Sequence, residues 1–174
     1  MDLEHVGASE HSTQLVVFTL GDEEYGVPIQ FVKEIIRKPE VTQLPNAPEY
    51  ILGVINLRGQ IIPILSLHER FSLQRTDDSE TKVVIVEFAS LMVGMEVNDV
   101  SEVLTLTKDR ISSAPAMATT INSNFISGVG KLEDRLLIIL DVERILSDEE
   151  HSMLASMMED RTGEGAEQEG ATAG

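Results

Sequence analysis

The stretch Ile51-Leu-Gly-Val-Ile-Asn-Leu-Arg-Gly-Gln-Ile-Ile-Pro-Ile-Leu65 decides how this chain is read. Two apolar, β-branched runs flank Arg58-Gly59, the pattern of a β-hairpin. At an offset of 75 the pattern returns without a gap. Ile51, Gly53, Val54, Leu57, Ile64 and Leu65 fall on Ile126, Gly128, Val129, Leu132, Ile139 and Leu140. Upstream, an offset of 68 lays residues 14–36 over 82–104 and matches Val16, Gly26, Val32 and Glu34 with Val84, Gly94, Val100 and Glu102. Average residue usage gives about one or two identities in each block by chance. The chain therefore reads as a tandem duplication, with copies 14–71 and 82–146 joined by a polar linker, 72–81.

Each copy reads as a small β unit. Residues 14–20 form a strand, Gly21-Asp22 a turn, and a second strand runs through Ile29. The period then changes. Phe31/Ile35 and Val32/Ile36 are i,i+4 pairs, so a short helical segment is expected up to Arg37, stopped by Pro39. The Pro45-Asn-Ala-Pro48 run marks a loop. Pro63 lacks a backbone donor and is expected at an edge or a bulge. Five short strands in each copy suit a small barrel. The expected fold class is mainly β: two SH3-like five-stranded barrels packed together, with short helices and a C-terminal helix. Whether the copies exchange strands stays open.

The ends differ from the middle. Residues 1–13 hold three acids and no base, and read as a flexible N-terminus. Ser147 and Glu150 have capping-box spacing and open a helix over 147–160. Its stripe of Met153, Leu154, Met157 and Met158 is expected to dock on the barrels, a partner-binding surface being the alternative. Residues 161–174 have nothing to bury and read as a disordered acidic tail.

Charge and composition exclude several functions. Thirty acids against 13 bases leave a net charge of −17 in 174 residues, with no cysteine. A nucleic-acid binder needs a basic footprint, and an anionic membrane would repel this chain. No disulfide, thiolate nucleophile or cysteine-bound zinc can form. The aliphatic runs are too short to span a bilayer. The four histidines lack metal-ligand spacing, and His68 beside Glu69 reads as a surface residue. Asp77, Asp78 and Glu80 lack the alternation of a calcium loop. Gly128-Val-Gly130 has no third glycine for a dinucleotide fingerprint; a strand bend or tight packing explains it. No catalytic or metal residue is assigned and no cofactor is expected. What remains is surface: Glu34 and Arg58 form a candidate charge pair that copy two does not repeat, since Glu133 stands there opposite Glu102.

The strings Leu20-Gly-Asp-Glu-Glu-Tyr-Gly26, Val32-Lys-Glu-Ile35 and Asn56-Leu-Arg-Gly59 resemble the CheW family of chemotaxis coupling proteins. Asp99-Val-Ser-Glu-Val-Leu-Thr-Leu106 and Asp134-Arg-Leu-Leu-Ile-Ile-Leu140 extend the likeness over about residues 14–158. The resemblance implies paired SH3-like barrels without enzymatic activity. It implies a cytoplasmic adaptor between chemoreceptor tips and the regulatory domain of the histidine kinase CheA, recruited to membrane arrays through its partners. A related module serving a different receptor–kinase pathway is the alternative. By position, Val32, Gly53, Gly94 and Gly130 match places tied to receptor or kinase binding, and Glu34 and Arg58 match a family ion pair. A receptor hairpin is expected to lay an apolar helix face near Ile29 and Val32. A second kinase contact falls on Ser112, Ala116 and Met117. The family's basic and acidic–aromatic residues are missing there, so that contact is expected to be altered. Ser66-Leu-His68 likewise replaces the family's more usual Asp-Leu-Arg.

Overall fold

The computed structural model describes residues 11–73, 81–113 and 121–158. Among the described residues, eleven strands form two sheets. They are β1 (Ser12–Leu20), β2 (Glu23–Pro28), β3 (Val32–Arg37), β4 (Ile51–Leu57), β5 (Gln60–Ser66) and β6 (Lys82–Phe88), followed by β7 (Leu91–Val97), β8 (Asp99–Thr107), β9 (Ile111–Ser112), β10 (Ile126–Lys131) and β11 (Leu136–Leu140). One sheet has the order β8-β1-β2-β11-β10-β9, the other β3-β6-β7-β5-β4.

The sequence copies are not the spatial units. The hairpin β1–β2 leaves copy one and joins β8 to β11 of copy two. The hairpin β6–β7 leaves copy two and joins β3, β4 and β5 of copy one. Two short parallel ladders make these joins, Gly26 opposite Ile139 and Gly94 opposite Ile64. We call the first unit the outer barrel, because it uses both ends of the chain, and the second the inner barrel.

The apolar runs are continuous because both strand faces are buried. Alternation sends Leu15 and Val17 of β1 into the outer barrel with Leu106, Leu137 and Ile139. Val16, Phe18 and Leu20 point the other way, into a core shared by both sheets. In β6, Val83 and Ile85 fill the inner barrel with Ile55, Ile62 and Ile64, while Val84 and Val86 face the shared core.

Three expectations are revised. The segment after β2 is a single 3-10 turn (Ile29–Phe31) followed by strand β3, and no longer helix forms. Pairing with β6 overrides the helical spacing, and a register shift between Val32 and Glu34 sends Val32 to the shared core and Ile36 into the inner barrel. Pro63 lies in an inner strand, opposite Val54, and the parallel ladder to β7 begins only at Ile64. His68 is 1 % exposed. It sits in a one-turn helix (Leu67–Arg70) capped by Ser66, with Nε2 3.1 Å from Asn98 Oδ1. The same oxygen accepts from the Gly21 amide, so the group joins the β1–β2 turn to the segment after β5. At the N-terminus, Ser12 and Thr13 already lie in β1, opposite Thr107 and Leu106.

The C-terminal helix, residues 148–158, opens on the expected capping box. The Glu150 amide donates to Ser147 Oγ, and the Ser147 amide donates to Glu150 Oε1. Leu154 and Met158 are buried, and Met153 and Met157 pack against the shared core. The stripe docks on the protein's own barrels. Arg70 fixes the helix at its start. Its Nε donates to the Ile145 carbonyl at 2.8 Å, and its two terminal nitrogens donate to Glu150 at 3.1 and 2.7 Å. The guanidinium lies 4.5 Å from the Tyr50 ring centre and 5.2 Å from that of Phe125.

Burial, then the neighbouring Glu150 carboxylate, push the Tyr50 hydroxyl up to about 12. The expected result is that Tyr50 ionises well after an ordinary tyrosine in a spectrophotometric titration. Glu150→Gln should bring its midpoint down. An unchanged midpoint would remove Glu150 from the explanation. Because the folded value exceeds the unfolded one, Tyr50 favours the fold below the ordinary tyrosine value, and that contribution disappears as pH rises towards 12.

Candidate functional site

Glu34 and Arg58 come from opposite edges of the inner sheet, β3 and the β4–β5 turn. Their meeting is a consequence of barrel closure. After β3 the chain curls round until Thr42 bridges Val54 of β4, with paired amide–carbonyl bonds of 2.9 and 2.8 Å. That brings the two edges together, and Arg58 donates to Glu34 Oε1 across the seam. Arg58 has φ of 52° and Gly59 of 86°, the sign pattern of a type I′ turn. An arginine is strained there, so local turn preference does not explain its presence. The pair is exposed, 69 % at Arg58 and 32 % at Glu34, and is worth under about 1 kcal/mol to stability.

The second copy does contain a counterpart, which the sequence reading missed. Glu102 has a basic partner. It pairs with Arg135 at 3.2 Å, and Arg135 also holds Glu24 and Asp134. Arg135 occupies the place of Gln60, just after the turn instead of within it. Glu24 first, then Asp134, raise the Arg135 guanidinium further above its already high ordinary value. Open depressions of about 510 and 560 Å³ flank Arg135, one beside Glu24 and Leu136, the other beside Glu102 and Leu132.

The remaining candidates fall into three groups. Ile29 is 38 % exposed on the 3-10 turn, and Val32 packs half-buried against the shared core. Both lie on the segment leading into β3. Gly53, Gly94 and Gly130 are buried. A Cβ on Gly53 would sit 2.2 Å from the Thr42 carbonyl oxygen, where φ is +147°. On Gly94 it would meet Ile64 Cδ1 at 2.6 Å, and on Gly130 Leu106 Cδ1 at 2.6 Å. These glycines shape the barrels and present no side chain to a partner. The glycine repeat has the same cause: a Cβ on Gly128, the equivalent of Gly53, would lie 3.1 Å from the Ser112 carbonyl oxygen. Ser112 is exposed in β9, opposite Val129. Ala116 and Met117 lie outside the described residues, as do Asp77, Asp78 and Glu80.

Among the described residues, no group of three or more His, Asp or Glu could hold a metal, and no helix is long and apolar enough to cross a membrane. The geometry offers surfaces and ion pairs, and sequence comparison identifies their setting. The CheW-like domain family matches residues 14–150. The chain belongs to the CheW-like family. It is similar to the chemotaxis protein CheW of Klebsiella aerogenes, 42 % identical over 142 residues, covering 81 % of this chain and 86 % of that one. It is 33 % identical over 157 residues to the CheW of Treponema pallidum, covering 87 % and 92 %. The crystal structure of the scaffolding protein TtCheW from Thermoanaerobacter tengcongensis superimposes with a TM-score of 0.74 at 34 % identity, covering 80 % of this chain and 90 % of that one. The paired barrels are thus a CheW fold.

Proposed function

We infer that this CheW-like protein is a chemotaxis coupling adaptor. It acts by binding and has no catalytic role. Its expected partners are the cytoplasmic tips of chemoreceptors and the regulatory domain of CheA, and its expected place is the cytoplasm, at receptor arrays. The observation that carries the reading is the Glu34–Arg58 pair at the closure of the inner barrel. Glu34 shares β3 with half-buried Val32, just after exposed Ile29 on the 3-10 turn, in a chain related to CheW over most of its length. A strained arginine turn that adds little stability is retained more readily for recognition than for folding. An apolar receptor helix lying across Ile29 and Val32 would bury both residues.

The test is a double-mutant cycle on a purified receptor cytoplasmic fragment. Arg58→Glu places two acids at the seam and should weaken binding about ten-fold or more, equivalent to about 1.4 kcal/mol. Adding Glu34→Arg restores opposite charges and should recover part of the loss. A double variant that binds no better than the worse single variant would show that the pair has no role as a unit. Thermal melting should move little in all three variants, since the pair is exposed.

A further inference from the structure

One face of β3 carries an electrostatic conflict that the described residues resolve only at Lys82. Alternation puts Ile35 and Arg37 on one face of the strand. Ile35 lies opposite Val84, which belongs to the shared core, yet Ile35 is itself 39 % exposed. Arg37 lies opposite Lys82, a like-charge pair on adjacent strands, which is unfavourable. Lys82 is relieved by Asp99. Among the described residues no acid pairs with Arg37, which is exposed.

The duplication supplies an internal control. In copy two the equivalent positions are Thr105 opposite Gln14, and the residue equivalent to Ile35 is Val103, 51 % exposed. The same backbone is built there with a neutral pair. The cations at Arg37 and Lys82 are therefore not demanded by barrel construction. Lys33 is the second cation of β3 and the third of the β3–β6 pair, held by Glu87 at 3.2 Å in a largely exposed pair that can exchange at little cost. A basic, apolar strip thus stands out on a chain whose net charge is −17.

We propose that Ile35 and Arg37 extend the docking surface of β3 and select an amphipathic helix with carboxylates flanking its apolar face. Ile35 takes the apolar face, and Arg37 receives a carboxylate that also offsets the repulsion from Lys82. This inference rests on the reading that a receptor helix docks at Ile29 and Val32, and it adds the charge of that helix.

The test uses the full chain and a purified receptor cytoplasmic fragment, as made and with the acids flanking its tip changed to Gln. Wild-type protein should bind the acidic fragment about ten-fold more tightly than the neutralised one, with the gap narrowing as salt rises. Arg37→Gln should bind both fragments alike, and Arg37→Lys should restore most of the preference. Full preference retained in Arg37→Gln, with Val32→Asp abolishing binding, would overturn the charge assignment and leave the docking site standing. Unchanged binding in both Val32→Asp and Arg37→Gln would overturn the site and this inference together. Amide proton spectra of Arg37→Gln should match wild type outside β3 and β6, which excludes misfolding as the cause.

Discussion

Gly53→Ala is expected to cost about 3 kcal/mol or more, a fall of roughly 6–12 °C in melting temperature for a chain of this size. Two effects add. The backbone at Gly53 has φ of +147°, which an L-residue tolerates poorly. The new methyl would also lie 2.2 Å from the Thr42 carbonyl oxygen, and that carbonyl is held by the Val54 amide at 2.8 Å. The neighbour cannot retreat without opening the bridge that closes the inner barrel. Gly128→Ala is the matched comparison. Its methyl would meet the Ser112 oxygen and Ile111 at 3.1 Å, without a positive φ, and should cost about 1 kcal/mol. Equal melting shifts in the two variants would refute this account. The contrast also bears on binding. Opening that bridge separates the strands holding Glu34 and Arg58, so loss of partner binding in a Gly53 variant should track loss of the folded barrel.

Arg70→Leu is the second large effect. It removes a bidentate carboxylate pair, a bond to the Ile145 carbonyl and two ring contacts. It also strands Glu150. Both side chains are mostly buried, 16 % and 26 % exposed, so the expected cost is about 2–3 kcal/mol. The loss should concentrate in the C-terminal helix, which depends on this anchor and on Leu154 and Met158. Hydrogen exchange in residues 148–158 should quicken about 10- to 100-fold, while β6 and β7 change less. Arg70→Lys should recover only part, because an ammonium cannot match both carboxylate oxygens. Unaltered exchange in the helix would mean that apolar docking alone holds it. Burial raises the Glu150 carboxyl, but the Ser147 amide, the Tyr50 hydroxyl and Arg70 together bring it below its ordinary value. Its contribution is present above the unfolded carboxylate value and fades as pH falls through the folded one.

Much of the architecture was legible in the chain. The duplication, the β class, the capping box and the docking of the methionine-rich stripe all followed from spacing and composition. The hairpin exchange did not. Local pattern says that β2 is buried on both faces, but not whether β11 or β5 lies beside it. The helical reading of Phe31 to Arg37 failed because i,i+4 spacing also fits the alternation of a strand, and only pairing with β6 decides between them. His68 beside Glu69 looked like surface, and only its capped turn points it inward. The Glu34–Arg58 pair was visible because its members sit at family spacing. Its counterpart was hidden because the basic residue moved two places, from the turn to Arg135. Arg37 drew no notice, since a like-charge opposition appears only when β3 and β6 are paired.

The exchange of hairpins has a consequence for how the chain is made. The inner barrel is built from residues 32–97 and can close soon after they leave the ribosome. The hairpin of residues 12–28 emerges first yet cannot complete its barrel until residues 126–140 appear. At about 5–20 residues per second, an interval of roughly 100 residues lasts on the order of 5–20 seconds. Through that interval Leu15, Val17, Val16 and Phe18 lack the C-terminal strands that later bury them. A hairpin translated ahead of the inner barrel is therefore secured after it. The strand order thus leaves the apolar hairpin of residues 12–28 waiting beside a barrel that can already close.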